Sequence, residues 1–187
     1  FGWIVNKKGN LHLEEEKNWP KMFESLINQR IDSIKDTEFS RYAPEVEKYY
    51  QYHKDILRKV NEPALAHDDF RPGNILVEGK EISGILDWAR ASLSDPEYDL
   101  VNTIFHFAEE IDLEDEKVED RIIGGYKHSG DLSSNFEDKK DLYMACCVIG
   151  KMIGFSKVWG ENYSDEKKEE ISERLQAKLE EIILGNN

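Results

Sequence analysis

The chain has 187 residues and a formal net charge of -14 at pH 7, and 39% of its residues are hydrophobic. This length and composition argue against disorder and predict one globular domain with its own hydrophobic core. The negative charge would repel a phosphate backbone, which excludes a broad nucleic-acid surface, whereas it favours cationic partners or serves solubility alone.

The first part of the chain predicts two helices. After FGWIVNKKGN, which carries a turn signal at Lys-Gly-Asn, the stretch NWPKMFESLINQRIDSI repeats apolar residues at helical spacing. Asn18 is its candidate N-cap, and Pro20 lies in its first turn. A second amphipathic helix begins near Pro44, and Asn61 and Pro63 indicate its end.

The hydrophobic period then changes. ALAH, NILVE and ISGILDW are short apolar runs typical of strands, and the turn EGKE around Gly79 predicts a hairpin from the last two. Helical patterns return from Pro96 onward, with Asp95 and Ser164 as candidate caps of the first and last segments. These segments are DPEYDLVNTIFHFAEEI, KVEDRIIGGYKHS, EDKKDLYMACCVIGKMIGFSKVW and SDEKKEEISERLQAKLEEIIL. The predicted fold class is α+β, helix-rich with a small β-hairpin insert.

Two adjacent cysteines, Cys146 and Cys147, lie in an apolar stretch. Their spacing suits neither a disulfide nor a zinc site, so we expect both to be reduced and in the core. We find no signal peptide and no apolar run of about 18 residues, which predicts a cytoplasmic protein with no membrane segment. Because the chain opens with Phe1 and not with Met, we expect it to be a fragment of a longer protein.

Three polar side chains lie on or beside the predicted strands. Asp69 and Asn74 form the pattern H-x-D-x-x-x-x-N, and Asp87 follows thirteen residues later at the end of an apolar run. Phosphoryl transfer needs a carboxylate that orients the attacking hydroxyl and oxygen ligands that hold Mg²⁺ against the phosphates. Asp69 suits the first role, and Asn74 and Asp87 suit the second.

Alternative interpretations apply to several of the polar residues. Short patterns of this kind also arise by chance, since Asp and Asn are common in turns and caps. We interpret His67 as a hydrogen-bonding support and not as an acid or base. The acidic cluster from Glu109 to Asp120 could meet an amine-rich acceptor, but a solvated face is the favoured interpretation. His53, His106 and His128 have no partners at useful spacing, so we predict no transition-metal site.

The combination of these motifs is more specific than any one of them. HDDFRPGNILV, followed by GILDWARA and SDPEYDL, resembles the catalytic segment of the aminoglycoside phosphotransferase and choline kinase-like family, a branch of the protein-kinase-like fold. FGWIVNKKGN with NWPKMF resembles the inter-lobe and first helical region of antibiotic kinases in that family. The likeness is sharpest from Ala66 to Leu100.

The resemblance implies a role for five residues. It implies that Asp69 is the catalytic base and that Asn74 and Asp87 are magnesium ligands. It also implies that His67 supports the catalytic loop and that Asp99 braces the same loop from the following helix.

Two positions depart from the family pattern. Asp68 stands where a small residue such as Gly is usual, and Arg71 stands where His is common. A second carboxylate beside the base could alter the choice of acceptor or raise the pKa of its neighbour by like-charge repulsion.

The resemblance also implies a β-rich nucleotide lobe with a Gly-rich phosphate loop and a Lys that pairs with the nucleotide. The sequence contains no Gly-rich nucleotide loop. We therefore expect residues 1–187 to be the C-terminal, acceptor-binding lobe of a longer kinase, with the N-terminal nucleotide lobe upstream. Such a lobe alone should bind nucleotide weakly and turn over little.

The function that follows is transfer of the γ-phosphoryl group of ATP or GTP, with Mg²⁺, to a hydroxyl of a small molecule. The resemblance favours an aminoglycoside-like antibiotic as acceptor, with choline-type alcohols or sugars as alternatives. A non-catalytic pseudokinase or binding module is the alternative from another class. The presence of Asp69, Asn74 and Asp87 argues against it, whereas the missing lobe leaves it open.

Overall fold

The computed structural model describes residues 1–60, 62–110 and 117–185. In these ranges the helices are α1 (Trp19–Ile34), α2 (Ala43–His53), α3 (Pro96–Glu110), α4 (Val118–Tyr126), α5 (Phe136–Gly154) and α6 (Asp165–Gly185). The strands are β1 (Gly2–Lys7), β2 (Asn10–Glu15), β3 (Ala64–Ala66), β4 (Ile75–Glu78), β5 (Glu81–Ile85) and β6 (Ser92–Ser94). The predicted helix-rich α+β fold is therefore confirmed.

Three helices begin at the caps that the sequence predicted. The side chain of Asn18 accepts a hydrogen bond from the backbone N–H of Lys21 at 3.1 Å, and Pro20 occupies the first turn of α1. Asp95 and Ser164 accept from backbone N–H groups at the starts of α3 and α6. Helix α2 ends earlier than predicted and is continued by a 3₁₀ segment, Lys54–Lys59.

A four-stranded sheet is the main feature that the sequence analysis did not predict. Its strand order is β2-β1-β6-β3, and every neighbouring pair is antiparallel. The backbone of Lys8 and of Gly9 adopts positive φ between β1 and β2, which reverses the chain. The predicted hairpin around Gly79 is present as β4 and β5, and Gly79 has φ +65° in the connecting turn.

Helix α5 is the centre of the core and packs against α1, α3 and α6. Every residue from Leu142 to Ile149 is buried, including the free thiols of Cys146 and Cys147, which confirms their predicted place in the core. The segment Phe136–Asn162 is long and apolar enough to cross a membrane by length and composition, contrary to our expectation. More than half of its apolar window is buried among the surrounding helices, which accounts for that composition.

A buried ion cluster joins α5 to the start of α3. Nζ of Lys139, a residue only 2% exposed, lies 2.9 Å from Oδ2 of Asp95 and 2.5 Å from Oε2 of Glu97. Tyr143 donates to the same Asp95 oxygen at 2.6 Å and accepts from Nε1 of Trp19 at 2.7 Å. Because an unpaired buried charge is strongly destabilising, this cluster fixes the position of α3 on α5.

We expect Lys139→Met to lower the free energy of unfolding by about 3–5 kcal/mol, because two buried carboxylates would lose their cation. Urea unfolding followed by circular dichroism measures this change. Lys140→Met is the matched control, since the neighbouring lysine pairs with Glu119 in a partly exposed ion pair worth about 1 kcal/mol or less. Equal effects of the two substitutions would contradict the role of the cluster.

Candidate active site

The 67–74 loop connects β3 to β4 and is held by helix α3. The backbone N–H groups of His67 and Asp68 donate to the two carboxylate oxygens of Asp99, at 3.0 and 2.9 Å. Asn102, one turn further along α3, donates from Nδ2 to the carbonyl oxygen of Asp68 at 2.9 Å. Three main-chain atoms of the loop are thus fixed by side chains of one helix.

The side chain of His67 ties the loop to the β4–β5 hairpin. Nε2 lies 2.8 Å from the carbonyl oxygen of Leu86, and Nδ1 accepts from the backbone N–H of Asp69 at 3.3 Å. Because a carbonyl oxygen can only accept, these two contacts specify the tautomer with its proton on Nε2. The indole ring of Trp88 packs on the imidazole, with 4.6 Å between the ring centroids. His67 therefore bridges the segments that carry Asp69 and Asp87.

Asp69 and Asn74 are in direct contact. Nδ2 of Asn74 donates to the main-chain carbonyl of Asp69 at 2.9 Å and lies 3.2 Å from Oδ2 of its carboxylate. Since the amide nitrogen makes both bonds, the amide oxygen is the atom that can bind a metal. Nε of Arg71 and Nε2 of His106 each lie 3.5 Å from the other carboxylate oxygen of Asp69. The Asp69 side chain is still 19% exposed, which leaves access for a substrate hydroxyl.

Asp87 is placed beside these residues by the backbone. The N–H of Leu86 donates to the carbonyl oxygen of Asn74 at 2.8 Å, next to the pairing of β4 with β5. Asp87 has a left-handed backbone, with φ +59°, which turns the chain sharply after β5, and the residue is exposed. The structure thus brings Asp69 and Asn74 into contact, and it places Asp87 on the adjoining segment.

The amide oxygen of Asn74 and the carboxylate of Asp87 are ligand types that Mg²⁺ binds, so their chemistry suits a magnesium ion that other oxygens also hold. Among residues 1–60, 62–110 and 117–185, no group of three or more His, Cys, Asp and Glu side chains is arranged to hold a metal. One amide oxygen and one carboxylate leave most positions of a six-coordinate ion to water and phosphate oxygens. Mg²⁺ accepts that arrangement, because it retains several waters and binds phosphates readily.

Two residues of the site were missed in the sequence analysis. Asn102 and His106 follow Asp99 by three and seven residues on α3, so the three side chains share one face of the helix. That spacing is the signal in the sequence that could have identified them. His106 was considered only as a metal ligand, whereas its observed neighbour is the carboxylate of Asp69.

A cleft of about 660 Å³ opens beside the 67–74 loop. Its wall is formed by this loop, by α1, α3 and α5, and by the segment after α5 that carries Trp159 and Tyr163. Asp69 and His106 both line it, so a molecule bound there would lie against the contact pair described above. The volume is in the range of small-molecule sites.

The predicted acidic cluster lies only in part within the described residues, since 111–116 are outside them. At its described ends, Glu109 pairs with Arg174 of α6 at 2.7 Å, and Glu119 pairs with Lys140 of α5 at 2.8 Å. These two acids therefore contribute to helix packing.

No curated protein matches the chain. The chain is similar to the crystal structure of a thermostable mutant of aminoglycoside phosphotransferase APH(4)-Ia in its apo form, with 15% identity and a TM-score of 0.67 over 99% of this chain and 58% of that chain. It is also similar to the GDP complex of wild-type aminoglycoside 2′-phosphotransferase-IIIa, with 20% identity and a TM-score of 0.51 over 88% of this chain and 52% of that chain.

At these identities the two structures show the fold alone, and the chain spans slightly more than half the length of each. The family model of the phosphotransferase enzyme family matches residues 12–130, which is more than half of the chain. This range contains the 67–74 loop, Asp87 and Asp99. The family resemblance is therefore confirmed, and the chain belongs to the phosphotransferase enzyme family.

Proposed function

We propose that the protein transfers the γ-phosphoryl group of ATP or GTP to a hydroxyl of a small molecule, with Mg²⁺. The observation that carries this proposal is the contact of Asn74 Nδ2 with Asp69 Oδ2, at 3.2 Å, on a loop held by Asp99. It joins a carboxylate that can receive a proton to an amide that can hold a metal. The two similar structures are both aminoglycoside phosphotransferases and one is a GDP complex, which supports a nucleotide donor and a small acceptor.

In the proposed reaction, Asp69 accepts a hydrogen bond from the acceptor hydroxyl and takes its proton. The hydroxyl oxygen forms a bond to the γ-phosphorus, the bond from that phosphorus to the bridging oxygen breaks, and the nucleoside diphosphate leaves. Asn74 and Asp87 would hold Mg²⁺, which supplies positive charge against the phosphate oxygens when bound. Arg71, 3.5 Å from Asp69, adds a cation beside the reacting groups.

We propose further that residues 1–187 form the C-terminal lobe of the kinase and that a nucleotide lobe covers the β4–β5 hairpin. The hairpin exposes apolar side chains, with relative exposures of 47% for Leu76, 63% for Val77 and 62% for Ile82. Adjoining exposed apolar residues mark a contact surface more often than chance placement does. The lengths of the two similar structures leave room for such a lobe.

The acceptor hydroxyl could belong to several classes of small molecule. The two similar structures are of aminoglycoside phosphotransferases, which makes these antibiotics one candidate class. Choline-type alcohols and sugars are alternatives for the same chemistry. These acceptors differ in charge, so the charge of the cleft wall discriminates among them.

Asp68 lies beside the proposed base at a sharp turn of the loop, where the family usually has a small residue such as Gly. Its backbone has φ +60°, which Gly adopts freely and which Asp tolerates better than most residues. Its side chain is 5% exposed and accepts a hydrogen bond from Ser92 at 2.6 Å. Burial raises the pKa of Asp68 to about 6, and the Ser92 hydroxyl opposes that rise.

We expect Asp69→Asn to lower kcat by about 10²–10⁴-fold, because an amide cannot take the proton of the hydroxyl. The measurement is nucleotide consumption by the full-length protein with a panel of antibiotics, choline-type alcohols and sugars. The melting temperature should not change, and Asp131→Asn, which removes an exposed acid outside the cleft, should have normal turnover. Near-normal turnover of Asp69→Asn would reject the assignment and favour a non-catalytic module.

We expect Asp87→Asn to raise the Mg²⁺ concentration needed for half-maximal activity by about tenfold or more, because a charged ligand is lost. Asn tolerates the left-handed backbone, so the turn after β5 is kept. Titration of Mg²⁺ at fixed nucleotide measures the effect, and Glu81→Gln on the same hairpin is the matched control. An unchanged Mg²⁺ dependence would remove Asp87 from the proposed metal site.

The pKa of Asp68 predicts a pH-dependent stability. An ordinary Asp ionises near 3.8, so between pH 4 and about 6 the unfolded chain loses this proton before the folded one does. The buried carboxylate thus destabilises the fold increasingly over that range. The free energy of unfolding of Asp68→Asn, relative to that of the natural protein, should therefore increase by about 2–3 kcal/mol from pH 4 to pH 7.5. Urea unfolding at each pH measures it. A difference in stability that does not vary with pH would contradict the burial of a titrating carboxyl.

A further inference from the structure

We propose that the cleft beside the 67–74 loop binds an acceptor with an anionic group, a carboxylate or a phosphate, and that Arg30 and Lys151 bind this group. The proposal rests on the proposed function and deepens it by naming the charge class of the acceptor. It starts from the observation that the wall of the cleft has the opposite sign of charge to the chain as a whole.

The cleft is lined by more cationic than acidic residues. The chain has 39 acidic and 25 basic residues, yet the cationic residues of the wall are twice as many as the acidic ones. They are Arg30, Arg71, Arg90 and Lys151, against Asp68 and Asp69. Because salt screens charges beyond about 8 Å, a bound molecule interacts with this wall more than with distant acids.

The four cations have different surroundings. Arg71 lies against Asp69, and Arg90 follows Asp87 by three residues, so both belong to the proposed site of phosphoryl transfer. Arg30 and Lys151 come from α1 and α5, outside the segments that carry the proposed base and metal ligands. They are therefore the cations available to another part of the acceptor.

Arg30 and Lys151 have no carboxylate within ion-pair distance in the described part of the chain. The guanidinium of Arg30 hydrogen-bonds to the carbonyl oxygen and sulfur of Cys146 and to the hydroxyl of Tyr98, all of them neutral groups. Nζ of Lys151 lies 4.9 Å above the ring centroid of Trp159. The buried carboxylate of Asp68 acts on Arg30 only through space, without a hydrogen bond or ion pair. An anionic ligand would therefore supply the charge-assisted hydrogen bonds that neither Arg30 nor Lys151 makes to a carboxylate.

Two glycines of α5 make room for this arrangement. A Cβ atom at Gly150 would lie 3.0 Å from the guanidinium carbon of Arg30, and one at Gly154 would lie 3.0 Å from the indole nitrogen of Trp159. Either contact would displace the neighbouring side chain from the helix. Arg30 thus packs against α5 at Gly150, and Trp159 packs against it at Gly154. Lys151 lies between these two positions on the helix.

The same wall disfavours a polyamine such as an aminoglycoside, whose ammonium groups would be repelled by the arginines and the lysine. The two acids at the described ends of the acidic cluster, Glu109 and Glu119, pair with Arg174 and Lys140 and do not line the cleft. The proposed anionic acceptor differs from the cationic partner that net charge favoured in the sequence analysis.

Equilibrium binding tests this inference separately from phosphoryl transfer. Isothermal titration calorimetry with glucuronate, glucose and glucosamine compares one sugar ring with negative, neutral and positive charge, and kanamycin adds a polyamine. We expect glucuronate to bind at least about tenfold more tightly than glucosamine, which corresponds to about 1.4 kcal/mol. Equal affinities, a preference for the amines, or no glucuronate binding at about 10 mM would overturn the proposal.

Lys151→Gln identifies the residue that binds the anion. It should weaken glucuronate binding about tenfold and leave glucose binding unchanged, since only the charge is removed. Lys157→Gln is the matched control, because Lys157 is exposed, lies near Asp36 at 3.9 Å and is outside the cleft.

The phosphates of the donor nucleotide are the other anion that these cations could bind. Titration of Mg²⁺-ATP into the same variants distinguishes the two sources. A loss of ATP affinity in Lys151→Gln with unchanged glucuronate affinity would assign the lysine to the donor and overturn the proposal. A failure of the proposed transfer would instead leave the glucuronate preference and its dependence on Lys151 intact.

Discussion

The carboxylate of Asp99 provides the contact on which the rest of the candidate site depends. It accepts hydrogen bonds from two consecutive backbone N–H groups, those of His67 and Asp68, where the loop turns through a left-handed residue. Main-chain contacts of this kind fix the loop without relying on the rotamers of its own side chains. Asp99 is itself positioned because Lys139 anchors the start of α3 to the core. The geometry at Asp69 thus follows from the packing of α3 on α5, and catalysis by positioning needs that rigidity.

The structure uses its buried and partly buried cations in two ways. Lys139 is enclosed with two carboxylates and a tyrosine, the arrangement expected when a buried charge has a structural role. Arg30, by contrast, hydrogen-bonds to neutral groups at the wall of the cleft. Lys139 thus makes ion pairs that stabilise the fold, whereas Arg30 makes none. This difference is why we propose a structural role for Lys139 and a ligand-binding role for Arg30.

Local signals in the sequence were sufficient for the helices and for the hairpin around Gly79. Asn18, Asp95 and Ser164 accept hydrogen bonds from backbone N–H groups two or three residues further along the chain. Such caps can be predicted without knowledge of the fold. The sheet β2-β1-β6-β3 could not be predicted in the same way. Strand β6 has three residues, β2 is exposed throughout, and β1 pairs with β6 across a separation of about 90 residues in the chain, since Gly2 is opposite Leu93. A three-residue strand is too short for a periodic pattern, and the pairing of β1 with β6 is a tertiary contact, so local signals could not define this sheet.

The candidate site likewise combines residues that local signals identify with residues that only tertiary packing brings together. Asp69, Asn74 and Asp87 lie in one continuous segment, so a motif could propose them together, whereas Arg30 and Lys151 line one cleft only because α1 packs on α5. The net charge of -14 is set largely by acids on solvent-exposed surfaces, such as those of α6, and it led to the expectation of a cationic partner. A ligand in the cleft interacts mainly with charges within about one Debye length, roughly 8 Å. Net charge therefore bears on solubility, and the few residues of the cleft wall determine the charge of what binds.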